Sequence, residues 1–273
     1  MRDTTRKESQ SDGKEIERVT MEFQRVAVIT GAAQGIGRRT AQVLNESGWS
    51  LVLLDLQSID VSEYSSAIAF NGDIADESFV ESAASQTMSK FGRVDALVNN
   101  AGISCISPAL DTSAELYRKV LDVNLVAPFL LAKAFGRAMV AAGSGSVVNV
   151  ASVAGLQGVA DRSAYNASKH GLIGLTRTLA VEWGALGVRV NAVCPGWVKT
   201  EMDHKDQAGG SYTDADIIEH VPMARFAKPD DIAQAIAFLC DSTKSGFING
   251  VSLPVDGGWT ADGSWQSLRL KHR

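Results

Sequence analysis

Cysteine is scarce in this chain, and the little there is excludes several functions. Cys105, Cys194 and Cys240 are odd in number and far apart. They form neither a disulfide framework nor a metal-ligand spacing, so a reducing, cytoplasmic setting is expected. Histidine is equally thin, at four residues. His170 and His204 are the nearest tempting ligands, but neither pairs at a metal spacing, and no metal is expected. A basic surplus is missing too: 26 Lys and Arg face 31 Asp and Glu, a formal charge of −5. That disfavours nucleic acid and acidic membranes, which call for a basic face, and leaves a small molecule as the expected partner. No run approaches the roughly 18 apolar residues of a membrane span, and the N-terminus lacks the apolar block of a signal peptide.

What is present reads as a soluble globular chain, 45% hydrophobic and 21% charged. Residues 1–22 are almost wholly polar and are expected to be a disordered tail, with Met21 as a second candidate start. Acidic residues at Asp3, Glu8, Asp12, Glu15 and Glu17 disfavour a mitochondrial transit peptide. Residues 23–260 form the expected catalytic domain. Residues 261–273 form a tail that, with Trp265, Leu268 and Leu270, is expected to pack on a neighbouring subunit.

Apolar runs and helical periodicity alternate through that domain. Strands are expected at 26–30, 51–54, 67–70, 94–98, 146–150, 188–193 and 251–255, with Cys194-Pro195-Gly196 breaking the sixth after Val193. Helices are expected at about 35–47, 76–91, 114–142, 164–183 and from 229. This is the pattern of a single-domain α/β fold, a Rossmann-type doubly wound parallel sheet of about seven strands with helices on both faces. Its ligand belongs beyond the carboxyl ends of the strands. From Trp197 to Pro222 periodicity is lost, which suggests a mobile segment over the site.

The first strand runs into Gly31-Ala32-Ala33-Gln34-Gly35-Ile36-Gly37, an arrangement that presents backbone N–H groups and a helix start to a phosphate. Its spacing is not GxGxxG, and by themselves the glycines would also serve a plain turn. The next strand ends at Asp55, about twenty residues on, where a carboxylate can take the ribose hydroxyls and repel a 2′-phosphate. Gln34 and Leu56 stand where a basic residue would hold that phosphate, so NAD is expected over NADP.

Ser152, Tyr165 and Lys169 carry the chemistry. The i, i+4 step puts Tyr165 and Lys169 on one helix face, where an ammonium can stabilise a phenolate and make it a usable acid and base. Pro128 withholds a backbone donor from the carbonyl of Asn124, which is then free to hold a water or merely marks a kink.

Taken together, the turn Thr30 to Gly37, Asp73, Asn99-Asn100-Ala101-Gly102, Asn124, Ser152, Tyr165 with Lys169, and Pro195-Gly196 followed by Thr200 resemble the short-chain dehydrogenase/reductase family. The resemblance covers nearly all of 24–260. It implies Tyr165 as general acid or base, Ser152 polarising the reacting oxygen, Lys169 on the nicotinamide ribose and lowering the Tyr165 pKa, and Asn124 holding a water between Lys169 and solvent. It implies a cofactor shell of Gly31, Gln34, Gly35, Ile36, Gly37, Asp55, Leu56, Asp73, Ile74, Asn100, Ala101, Gly102, Tyr165, Lys169, Pro195, Gly196, Val198 and Thr200. Candidate substrate-wall residues are Ser104, Gln157, Trp197, Met202 and His204.

The expected activity is NAD-dependent interconversion of a secondary alcohol and a ketone, on a sugar, polyol or hydroxy acid. A 3-oxoacyl-[acyl-carrier-protein] reductase is the alternative, disfavoured by Asp55 and by Gln34. A catalytically inactive nucleotide sensor is disfavoured because Tyr165 and Lys169 are both present. The apolar helix carrying them resembles the family's dimer-forming helix, so a homodimer or homotetramer is expected.

Overall fold

Val26 and Val28 point into one core while Ala27 and Ile29 point into another, because side chains alternate along a strand. A strand buried on both faces needs cover on both, and that requirement organises the fold. The computed structural model describes residues 24–207 and 212–264. The strands are β1 (Val26–Thr30), β2 (Ser50–Asp55), β3 (Ala67–Asn71), β4 (Ala96–Asn99), β5 (Gly145–Val150), β6 (Val188–Pro195) and β7 (Ser252–Val255). They pair in parallel throughout, in the order β3-β2-β1-β4-β5-β6-β7.

Helices α1 (Gly35–Glu46) and α8 (Pro229–Cys240) pack together on one face, burying Ala41, Leu44, Ile232, Ile236 and Leu239 against the sheet. Helices α2 (Glu77–Phe91), α4 (Ala127–Ala142) and α5 (Ser163–Gly184) cover the other with Val80, Leu131, Phe135, Met139 and Leu179. Shorter pieces are α3 (Ala114–Leu121), α6 (Glu201–Gln207), α7 (Asp214–His220) and α9 (Ser242–Ser245). The order reverses direction between β1 and β4, and the crevice at their carboxyl ends is where such sheets hold ligands.

The expected long helix over 114–142 is present with one interruption. Pro128 has no N–H for the carbonyl of Asn124, and the helix opens there into a π-helical turn, Asp122–Val126. By length and mean hydropathy alone, 1.5 in its most apolar window, this run would suffice to cross a membrane, although no continuous apolar stretch of that length exists in the sequence. In this fold it lays Leu131, Phe135 and Met139 against the sheet.

Two expectations change. Pro195 does not break the sixth strand but ends it, in register with Val255. Since β5 pairs only as far as Val193, the missing N–H of Pro195 costs no ladder bond on that side. The segment from Trp197 also forms two seven-residue helices, α6 and α7, too short for periodicity to register. Among its described residues, a capping box links Thr213 and Asp216, Lys199 pairs with Asp203 (3.0 Å) and Asp214 (2.5 Å), and Tyr212 donates to Asp203. The expected N-terminal tail and residues 265–273 of the expected C-terminal tail lie outside the described residues. Trp259 lies within them and packs on Trp197 and His220.

Candidate active site

The ends of β1 and β4 lie side by side, and hydrogen bonds lock them together. The backbone N–H groups of Asn100 and Ala101 both donate to Thr30 Oγ1 at 3.0 Å. The Asn100 amide donates to the carbonyls of Thr30 at 2.9 Å and Gly31 at 3.2 Å. Asn100 thus fastens the glycine turn to the neighbouring strand. The turn is closed as tightly as its residues permit. Gly31 has φ +64°, and a Cβ on Gly37 would stand 2.1 Å from the Gly31 carbonyl oxygen.

Helix α1 begins in that turn without a side-chain cap on Gln34 and without an acidic residue in its first turn. Its leading amides therefore have no side-chain acceptor, which suits them to a phosphate. Asp55 stands beside them at the end of β2. Its carboxylate accepts from the N–H groups of Ala33 (3.0 Å) and Gln57 (2.9 Å), which fix its position. Leu56 is exposed, Ile74 buried, and Asp73 exposed with its carboxylate on the Ala75 amide. Across the cleft, Thr200 and Glu201 face Gly35, with Val198 buried behind and Gly196 pressed against Asp256. Unclaimed amides, a fixed carboxylate and a glycine-lined cleft fit a dinucleotide.

The proton chemistry sits where β5 meets α5. Ser152 caps the short 3₁₀ turn Val153–Gly155, its hydroxyl accepting from the Ala154 N–H at 3.1 Å. It lies near enough to Tyr165 to act on the phenol's pKa. Burial pushes the Tyr165 phenol above its ordinary pKa; the Ser152 hydroxyl and then the Arg162 guanidinium pull it down, and Asp206 pushes it up. Lys169 Nζ lies 5.6 Å from the Tyr165 ring centroid and donates to the Val150 carbonyl at 2.8 Å. Burial lowers Lys169 to about 8. It is still an ammonium at neutral pH.

Asn124 is fully buried, and its side-chain amide is spent on structure. Oδ1 accepts from Ile103 N at 2.8 Å, while Nδ2 donates to Ile103 O (2.9 Å) and Ser168 Oγ (3.1 Å). The side chain is thus not the group that would hold a water. Asn124 and Lys169 come together at Gly102, where a Cβ would lie 3.1 Å from Asn124 Oδ1 and 3.6 Å from Lys169 Nζ.

The substrate-side candidates divide. Ser104 and Trp197 converge on Arg162, whose Nη1 donates to Ser104 Oγ at 2.8 Å and whose guanidinium carbon is 5.7 Å from the Trp197 ring. Gln157 is half-buried just after the 3₁₀ turn. Met202 and His204 occupy exposed positions of α6. Sequence reasoning missed Arg162 and Asp206. It also missed the buried chain in which Asn99 donates to Asn149 (2.8 Å) and Asn149 to Thr176 (2.9 Å), tying β4 and β5 to the helix that carries Tyr165. Arg162 was findable, three residues before Tyr165 at the start of the same helix; nothing local marks Asp206.

Comparison with known proteins decides the family. A family model described as enoyl-(acyl carrier protein) reductase matches residues 31–260. D-threitol dehydrogenase of Mycolicibacterium smegmatis is 38% identical over 244 residues, 86% of this chain and 93% of its own. The chain belongs to the short-chain dehydrogenase/reductase family. The 3-oxoacyl-[acyl-carrier-protein] reductase of Synechocystis is 36% identical over 242 residues, 85% of this chain and 96% of its own. A Beutenbergia cavernae structure holding NADP at low occupancy superposes with a TM-score of 0.80 at 40% identity, covering 87% of this chain and 97% of that one. As a short-chain dehydrogenase/reductase the protein is an oxidoreductase of CH–OH groups that uses a nicotinamide dinucleotide, NAD or NADP.

Proposed function

We propose that the protein is an NAD-preferring enzyme interconverting a secondary alcohol and a ketone, on a sugar, polyol or hydroxy acid, with Tyr165 as general acid and base. The observation that carries this reading is the half-buried Tyr165 near the Ser152 hydroxyl and the Lys169 ammonium, on the same sheet edge as an uncapped helix start. The α1 amides would hold the pyrophosphate, Asp55 the adenosine ribose, Asp73 and Ile74 the adenine side, and Lys169 the nicotinamide ribose. When bound, the nicotinamide supplies the hydride acceptor or donor. Tyr165 takes the hydroxyl proton in oxidation and returns it in reduction. Ser152 holds the reacting oxygen, and the Lys169 charge favours the phenolate. The Asn124 carbonyl would hold a water leading from Lys169 toward solvent. Asp55 supports NAD, because a carboxylate held by two amides repels a 2′-phosphate.

The test is a panel of secondary alcohols run with NAD and NADP in parallel, in the native protein and in Tyr165→Phe. Tyr165→Phe is expected to lose at least about 100-fold in kcat while NADH still binds by fluorescence titration. Full activity in that variant would refute the mechanism, and tighter NADPH than NADH binding would refute the cofactor preference. The Synechocystis relative favours a second reading, reduction of 3-oxoacyl thioesters, and turnover of acetoacetyl thioesters with NADPH would establish it instead.

A homotetramer in the cytoplasm completes the proposal. Exposed Val126, Phe129 and Val181 on the π turn, α4 and α5 support association, and three free cysteines, two of them buried, suit a reducing compartment. A monomeric mass by light scattering at micromolar concentration would contradict the oligomer.

A further inference from the structure

One charged cluster beside Tyr165 is left over after the proton chemistry is assigned. Arg162 lies at the N-cap of α5, Asp206 on α6 and Ser104 just beyond the Asn100–Gly102 turn, so three separate elements meet there. Arg162 Nη1 donates to Asp206 Oδ2 at 2.9 Å and to Ser104 Oγ at 2.8 Å, and Ser104 Oγ donates to Asp206 Oδ2 at 3.1 Å. The side chains of Arg162 and Asp206 are 10% and 16% exposed. Among the described residues every side-chain hydrogen bond of Arg162 runs through Nη1, so Nε and Nη2 have capacity to spare. The Trp197 ring borders the cluster, and its indole N–H is buried without a hydrogen-bond partner among the described residues.

We propose that Arg162, Asp206 and Ser104, walled by Trp197, form a subsite that binds neighbouring hydroxyls of a neutral polyol, which rests on the alcohol-oxidising reading above. A hydroxyl both donates and accepts. Two adjacent hydroxyls can donate a hydrogen bond to Asp206 and accept one from Arg162, which suits a cation and an anion presented side by side. The Trp197 ring covers the C–H face of such a chain, and its N–H gains an acceptor. A carboxylate substrate fits worse, because Asp206 already matches the Arg162 charge and repels a second anion. A simple hydrocarbon alcohol fits worse still, since it seals the cluster from water and leaves the spare Arg162 donors and the Trp197 N–H unpaired.

The test measures kcat/KM for erythritol and xylitol against butan-2-ol, cyclohexanol and 3-hydroxybutyrate. The polyols are expected to exceed the others by at least about tenfold, roughly 1.4 kcal/mol. In Arg162→Lys and Ser104→Ala the polyol-to-butan-2-ol ratio is expected to fall about tenfold, in KM more than in kcat. Asp206→Asn leaves Arg162 uncompensated, and the ratio of 3-hydroxybutyrate to polyol is expected to rise about tenfold, which a merely structural role would not produce. Should Arg162→Lys fail to fold by circular dichroism, Ser104→Ala and Asp206→Asn carry the test. Preference for butan-2-ol or cyclohexanol in the native protein overturns the polyol subsite and leaves the oxidoreductase reading intact. Equal losses on every alcohol, or an unchanged ratio in Asp206→Asn, overturn it as well. No turnover of any alcohol with either cofactor overturns both.

Discussion

Replacing Lys169 with methionine is expected to yield a more stable and inactive protein. Lys169 is 4% exposed, with its Nζ bonded to the Val150 carbonyl. Burial brings its pKa from 10.5 to about 8. At pH 7 the folded chain therefore carries its ammonium at a disadvantage of roughly 3 kcal/mol relative to the unfolded chain, each pH unit being worth about 1.4 kcal/mol. Methionine has similar length and no charge. Losing the bond to Val150 takes back about 1 kcal/mol, for a net gain of about 2 kcal/mol. The folded pKa lies below the unfolded one, so the unfolded chain binds the extra proton between about pH 8 and 10.5. The native Lys169 contribution thus improves as pH rises through that window, and the advantage of the variant vanishes by about pH 10. Urea unfolding of both proteins at pH 7 and 9.5, without cofactor and at one protein concentration, reads this directly. A Lys169→Met protein less stable than the native one at pH 7, or a difference equal at both pH values, would refute the reasoning.

Three further expectations follow from the site. Ser152→Ala removes the hydroxyl that pulls the Tyr165 phenol down, so the pH at which alcohol oxidation reaches its alkaline plateau moves upward; an unmoved pH–kcat profile contradicts this. Asp55→Asn removes the charge that repels a 2′-phosphate, and the NAD-over-NADP ratio of kcat/KM falls about tenfold or more; an unchanged ratio places the selectivity elsewhere. Gly37→Ala drives a methyl onto the Gly31 carbonyl, 2.1 Å from the ideal Cβ. It is expected to destabilise the protein by about 3 kcal/mol and to abolish dinucleotide binding, so a native-like Tm with native NADH affinity would contradict the packing described for the turn.

Much of the fold was legible because its signals are local. The runs 26–29 in β1 and 51–54 in β2 are wholly apolar because both faces are covered, and such runs separated by helical periodicity have few other solutions than a parallel sheet. The boundary errors have equally local causes. Pro195 reads as a breaker, yet it sits where β5 no longer pairs. The stretch after Trp197 reads as structureless because seven residues, the length of α6 and of α7, make only two helical turns.

By itself the sequence determined the parallel α/β architecture, the glycine turn at the start of α1, the acidic end of β2, and the placing of Tyr165 and Lys169 one turn apart. Each is read from local signals, single apolar runs, turns and i, i+4 steps taken one after another along the chain. The tertiary structure alone decided what stands around Tyr165. Arg162 meets Asp206 across 44 residues and Ser104 across 58, and Ser104 meets Asp206 across 102. No periodicity or spacing carries such pairings, because they arise only when the carboxyl ends of separate strands are brought to one edge of the sheet and the segment after β6 folds back over it. The residues of the proton chemistry are therefore marked locally in the chain, and their surroundings only in the packing.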